Sequence, residues 1–183
     1  MNRQRGLAWQ HTEHMQTEHM HRERDRHAPS PQGTAVRYRP ALPADAPACI
    51  DLRGRTRENA FSKVQLEAMG ITADSWSEGI RDGALPGHVG LVNEQIVGYC
   101  FGERATGEIL VLALLPEHEG TGMGRQLLQR VVDDFKGWGW DRLFLGCSDD
   151  PMVRSHGFYR HLGWQPTGAR DAAGDEILEL RLA

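Results

Sequence analysis

No apolar run in this sequence approaches the ~20 residues that a membrane-crossing helix needs, and the first residues hold no apolar stretch of the signal-peptide kind. The expectation is a cytoplasmic protein without a membrane partner. A basic surplus is missing as well. The 21 Lys and Arg residues face 25 Asp and Glu, for a formal charge of -4, which disfavours a chain whose main role is gripping phosphate backbones. No nucleic-acid partner is expected. Cysteine is scarce: Cys49, Cys100 and Cys147 are odd in number and far apart, which indicates neither a disulfide framework nor a zinc knuckle. A reducing compartment fits, and no metal site is expected.

What is present suffices for one core, since 39% of the 183 residues are hydrophobic. The apolar residues are unevenly spread. Residues 1–33 carry five of the nine histidines, five arginines and four acids among few aliphatics, and TEHM at 12–15 recurs at 17–20. Such a segment cannot bury a core and is expected to be a disordered tail. A metal reading of His14, His19 and His21 is set aside because nothing there shapes a site. The folded domain is expected over 34–183.

Within it the hydrophobic period predicts a strand over 35–39 that stops at Pro40, and a helix opened by Pro43-Ala-Asp-Ala-Pro47. Further helices are predicted over 64–69 and from Thr72 or Asp74 to Gly83. Residues 88–92 and 96–103 read as strands joined by an Asn93-Glu94 turn. The unbroken aliphatic run 109–115 reads as a strand buried on both faces. Met123, Leu127, Leu128, Val131, Val132 and Phe135 recur at helical spacing. Strand 141–147, helix 152–162 and strand 176–182 complete the series. The fold class is α/β (α+β): a mixed, mostly antiparallel sheet flanked by helices, with one strand-helix-strand crossover.

That crossover carries the feature that points to chemistry. Gly120, Gly122 and Gly124 alternate between a buried strand and a helix start. Helix N-terminal amides and the helix dipole attract anions, and glycine removes the side chains that would hold a phosphate away. A tight turn with unusual dihedrals accounts for one or two glycines, and three at alternate positions favour a ligand. A Walker loop is excluded because Gly124 precedes Arg125 and Gln126, not Lys and Ser or Thr. A dinucleotide fingerprint is excluded because Arg125 stands where its third glycine belongs.

Leu114-Leu-Pro-Glu-His-Glu-Gly-Thr-Gly-Met-Gly124 resembles the acetyl-CoA loop of the GNAT superfamily of N-acetyltransferases: Gln or Arg, any two, Gly, any one, Gly or Ala. Phe158-Tyr-Arg-His-Leu-Gly-Trp164 resembles that family's later Tyr, three residues, Gly, aromatic motif. The resemblance covers residues 34–183 and implies acetyl-CoA as acetyl donor, held by Leu112, Ala113, Leu114, Glu119, Gly120, Thr121, Gly122, Met123, Gly124 and Arg125. Glu119 departs from the usual Gln or Arg. A carboxylate there repels a pyrophosphate unless it turns outward. Met152 and Ser155 stand where the family usually has Asn and Ala.

The implied activity is transfer of the acetyl group to a primary amine by direct attack in a ternary complex, making the chain an acyltransferase. The small-molecule amine is the first expectation. A protein lysine or N-terminal acetyltransferase and a non-catalytic acetyl-CoA-binding module are the alternatives. An alkyl ammonium titrating near ~10 must lose a proton before it attacks. The resemblance points to Glu108 as the base, with Glu103 as substitute. Glu108 also reads as a solvated residue after the Thr106-Gly107 turn, and both readings stay open. The resemblance further implies a backbone amide near Leu112 opposite the oxyanion and Tyr159 as general acid toward the thiolate. Phe158 and Trp164 are expected in the core. Arg53, Arg55 and Arg57 read either as a solvated helix end or as forks for an acid group on the acceptor. Homodimers are common in the family, and no residue here speaks to that.

Overall fold

A computed structural model describes residues 35–58 and 60–183. The histidine-rich segment 1–33, with His14, His19 and His21, lies outside the described residues, as do Thr34 and Asn59. Seven strands form one sheet: β1 Arg37–Pro40, β2 Gly87–Val92, β3 Gln95–Glu103, β4 Glu108–Leu114, β5 Arg142–Cys147, β6 Gln165–Arg170 and β7 Glu176–Arg181. Their order is β1-β2-β3-β4-β5-β7-β6, and every neighbouring pair is antiparallel except β4 and β5. The helices are α1 Ala46–Arg53, α2 Lys63–Ala68, α3 Ala73–Arg81, α4 Met123–Gly137 and α5 Arg154–His161.

Local chemistry sets most boundaries. Ser62 and Thr72 cap α2 and α3 by accepting the amides of Gln65 and Ser75. Asn93 and Glu94, both at positive φ (49° and 63°), make the turn between β2 and β3, matching the right-handed twist of a two-residue hairpin loop. Pro40 is the last residue of β1, so the strand stops there as its sequence predicts. That strand is an edge paired only with β2, where a missing N–H is tolerated. The Asp150 carboxylate accepts the Met152 amide at 2.8 Å, holding 151–153 in a turn, so α5 starts at Arg154, later than its sequence predicts.

The strand β6 is not among the elements that the sequence predicts. Gln-Pro-Thr-Gly-Ala-Arg is exposed throughout, shows no alternation, and its pairing with β7 is interrupted between Pro166 and Arg170. Proline and glycine weaken a strand signal, and only the pairing with β7 makes this segment a strand.

Two helix layers cover the sheet. Met123, Leu127, Leu128, Val131, Val132 and Phe135 are the buried residues of α4, the same six that the helical period selects. Each such burial stabilises by roughly 1.5–3 kcal/mol before entropy is counted. The helix comes close because Gly102 has no side chain: a Cβ there would lie 2.6 Å from the Phe135 ring. On the other face Trp76 of α3 packs edge-on against Tyr99 and Phe101 of β3, at 5.7 and 5.1 Å between centroids. Among the described residues no helix is long and apolar enough to cross a membrane.

Candidate active site

The parallel pair that should join the two halves of the sheet is nearly absent. Glu108 opposite Phe144 is the registered pairing of β4 with β5, reinforced by the Phe144 amide on Gly107 O at 3.0 Å. Past that point the strands separate. The gap is a cleft of about 610 Å³ whose walls are Ile109–Leu114 of β4, Glu119, Gly120, Gly122, Gly124 and Arg125 of the loop and helix start that follow, Arg154, Ser155, Gly157, Phe158 and Tyr159 of α5, and Arg53 with residues 56–58. A β-bulge lies opposite the Phe101/Gly102 step and adds to the local bend of β4.

The loop after β4 explains its own glycines. Gly120 and Gly122 have φ of 72° and 85°, a left-handed region that penalises side chains. A Cβ at either would meet nothing within 4 Å, so backbone conformation, not crowding by the protein, demands glycine. Gly124 belongs to α4. A Cβ there would sit 3.4 Å from Leu114 and 3.6 Å from Phe158, so its smallness fits α4 between β4 and α5. Gly122 is the N-cap of α4 and offers no side chain, and the first helical bond runs from Gln126 N–H to Gly122 O. The amides of Met123, Gly124 and Arg125 therefore have no intrahelical acceptor, the standard condition for an anion site at a helix start. Thr121 closes the turn by donating to His118 O at 2.7 Å.

The cleft brings together most of the residues expected to hold the cofactor: Leu112, Ala113, Leu114, Glu119, Gly120, Gly122, Gly124 and Arg125. Thr121 and Met123 are not part of its lining. The Met123 side chain is buried, and its sulfur lies 3.0 Å from where a Gly98 Cβ would be, so that residue can meet a ligand only through its backbone. Glu119 does not face the anion site as a bare charge. Its Oε2 accepts Arg57 Nε at 2.9 Å and also contacts Arg154 Nη1.

Tyr159 lies in the cleft wall, buried between Phe158 and Trp164, with ring centroids at 5.1 and 6.1 Å. Burial first, then the neighbouring Cys100 and Cys147, push its phenol well above the ordinary range, against a smaller opposing effect of Arg53. It is therefore protonated at neutral pH. Trp164 is core, as expected, and Phe158 packs against the core while also lining the cleft.

The three arginines part company. α1 ends at Arg53, so the alternation does not keep them on one face. Arg53 is buried in the cleft wall, stacked 5.0 Å over Phe61, and burial draws its guanidinium downward from the usual value. Arg57 belongs to Glu119, and Arg55 is exposed outside the cleft.

Glu108 is at the closed end of the fork, beside the lining but not in it, one residue before Ile109. Burial, with Glu103 and Asp171 as like-charged neighbours, pushes its carboxyl up to about 7. Glu103 stands opposite it in register and accepts the Thr106 hydroxyl at 2.8 Å. Thr56, Glu58, Ile109, Leu110 and Val111, with Arg154, Ser155, Gly157 and Phe158 of α5, are the cleft residues that the sequence did not disclose as functional. The tyrosine motif placed α5 beside the cofactor loop, but no local pattern says which residues of its first turn face inward. Among the described residues no cluster of three metal-ligating side chains occurs.

The sequence model of the Acetyltransferase (GNAT) family matches residues 49–164, more than half of the chain. An amino-acid acetyltransferase of Aeromonas salmonicida is 29% identical over 142 residues, 75% of this chain and 29% of that protein. A mycothiol acetyltransferase of Beutenbergia cavernae is 35% identical over 72 residues, 39% of this chain and 24% of that protein. The chain thus spans less than a third of either relative. The crystal structure of a PaiA N-acetyltransferase of Thermoplasma acidophilum in complex with coenzyme A superposes with a TM-score of 0.69 at 17% identity, covering 81% of this chain and 99% of that one. A forked parallel pair, an uncapped helix behind two left-handed glycines and the family match over the same residues agree: this chain belongs to the acetyltransferase (GNAT) family.

Proposed function

We propose that this chain, with its catalytic domain over 34–183, transfers the acetyl group of acetyl-CoA to the primary amine of a small molecule in a cytoplasmic setting. The observation that carries the reading is the set of unpaired amides at the start of α4, where Gly124 and Arg125 line the same cleft as Tyr159. The amides of Met123, Gly124 and Arg125 take the pyrophosphate. The edge of β4 from Ile109 to Leu114, left without a partner strand, takes the pantetheine arm by backbone hydrogen bonds.

The amine nitrogen attacks the thioester carbonyl, the carbon-sulfur bond breaks, and the acetyl group leaves on nitrogen. The oxyanion is met by the Leu112 amide, a preorganised donor of the kind worth roughly 3 kcal/mol. Tyr159 gives its proton to the departing thiolate. The proton lost by the ammonium passes to Glu108 through intervening water, since Glu108 stands just beyond the cleft wall. A carboxylate raised to about 7 is half ionised near neutrality and better matched to that role than an ordinary glutamate.

The small-molecule reading is supported by Arg53, whose cation lies in the cleft wall, and by the relative that carries the name amino-acid acetyltransferase. The experiment is release of free thiol from acetyl-CoA with a panel of amines, amino acids and peptides. Turnover with amines or amino acids is expected. Turnover with peptides alone replaces the reading by a protein-modifying one, and coenzyme A binding without turnover on any acceptor leaves a binding module.

A further inference from the structure

Among the loop residues that line the cleft, Glu119 carries charge of the wrong sign, and it is also where three separate parts of the chain meet. Arg57 comes from the segment between α1 and α2, Arg154 is the first residue of α5, and both reach Glu119 Oε2 at the mouth of the cleft. All three line that cleft together with Gly120 and Gly122. The cluster carries two positive charges and one negative, so its net sign suits an anion although its central residue does not.

The contacts are suited to exchange. The Arg57 and Arg154 side chains are 57% and 55% exposed, against 20% for Glu119. Ion pairs with one partner this exposed are weak. Each guanidinium also uses a single nitrogen toward one carboxylate oxygen, leaving most of its fork for a second acceptor. A diphosphate presents more oxygens and more charge than Glu119 does, in the geometry that guanidinium forks match best.

We propose that Arg57 and Arg154 are pyrophosphate ligands of the acetyl donor, held across the cleft by Glu119 until the pyrophosphate displaces its carboxylate. The proposal rests on the acetyl-CoA reading and moves Arg57 from the acceptor to the donor. It also accounts for Glu119, which in the free protein keeps two like-charged arginines together beside the loop that needs them.

The test is calorimetry of coenzyme A, of dephospho-coenzyme A (pyrophosphate kept, 3′-phosphate removed) and of pantetheine against the wild-type chain and Arg57→Gln, Arg154→Gln and Glu119→Gln. Each arginine variant is expected to bind coenzyme A and dephospho-coenzyme A roughly 10-fold more weakly, with pantetheine unaffected. Arg154→Lys, which keeps charge but loses the fork, is expected to fall between. Glu119→Gln removes the competitor and is expected to tighten coenzyme A several-fold. Four results overturn the proposal: arginine variants that bind like the wild type, losses that extend equally to pantetheine, losses confined to coenzyme A and absent with dephospho-coenzyme A, or weaker binding by Glu119→Gln. A folded wild-type chain that binds no coenzyme A sinks the donor reading itself, whereas a wild type that binds while its arginine variants are insensitive sinks only this proposal.

Discussion

Glu108 and Glu119 stand eleven residues apart at the two ends of one strand and its loop, and their surroundings are opposite. Glu108 sits where β4 and β5 still touch, desolvated, with Glu103 and Asp171 as its charged neighbours. Glu119 sits where the strands have parted, bound to two guanidinium groups. The same side chain is thus tuned toward holding a proton at one end and toward holding cations at the other. Opening a sheet between two parallel strands creates both environments at once: a dry corner at the fork and a solvated mouth beyond it.

Replacing Glu108 tests the dry corner, and the largest effect is expected there. Glu108→Gln should lower turnover by ~10² or more and remove the rise in kcat/KM expected of the wild type as pH increases through about 7. The sign follows from the chemistry, since the base works only when ionised. A variant with the wild-type pH profile removes Glu108 from the mechanism. At the mouth, Glu119→Gln should instead change the acetyl-CoA concentration needed for half-maximal rate.

Tyr159→Phe asks whether the cleft between the two carboxylates is where the thioester breaks. Turnover should fall by ~10², as for loss of a general acid, while coenzyme A still binds, because the phenyl ring keeps the packing against Phe158 and Trp164. Unchanged turnover would show that the thiolate takes its proton elsewhere.

Gly122→Ala touches the mouth through the backbone alone. With φ of 85° and nothing within 4 Å of the new Cβ, the strain is conformational and should cost about 1–2 kcal/mol of stability. Coenzyme A should bind several-fold more weakly as the α4 amides tilt. Thermal unfolding and calorimetry measure the two losses, and an alanine variant as stable as the wild type would mean that the left-handed turn is not required.

What the sequence disclosed follows from this division. Periodic apolar residues carried α4 and the central strands, and the glycine spacing with the tyrosine motif led to residues that line one cleft, because both are local patterns. The pairing of Glu119 with Arg57 and Arg154 was illegible: the partners lie 62 and 35 residues away, and no local rule brings them together. The separation of Arg53, Arg55 and Arg57 was illegible for the opposite reason. Their alternation is local, but α1 ends at Arg53 and the chain turns. The strand β6 depends wholly on its partner β7.

The last effect concerns stability alone and isolates Glu108 from catalysis. Its folded-state carboxyl is raised from the ordinary 4.5 to about 7, so the folded chain holds that proton more tightly than the unfolded one. The resulting contribution to stability is complete below about 4.5 and is lost as pH rises through about 7. Glutamine is neutral throughout and keeps the volume, so Glu108→Gln should raise the unfolding midpoint over the wild type at about pH 8, with the difference shrinking toward about pH 4. A difference that is constant with pH would mean that Glu108 ionises as freely in the fold as in the unfolded chain, and the dry corner would not be dry.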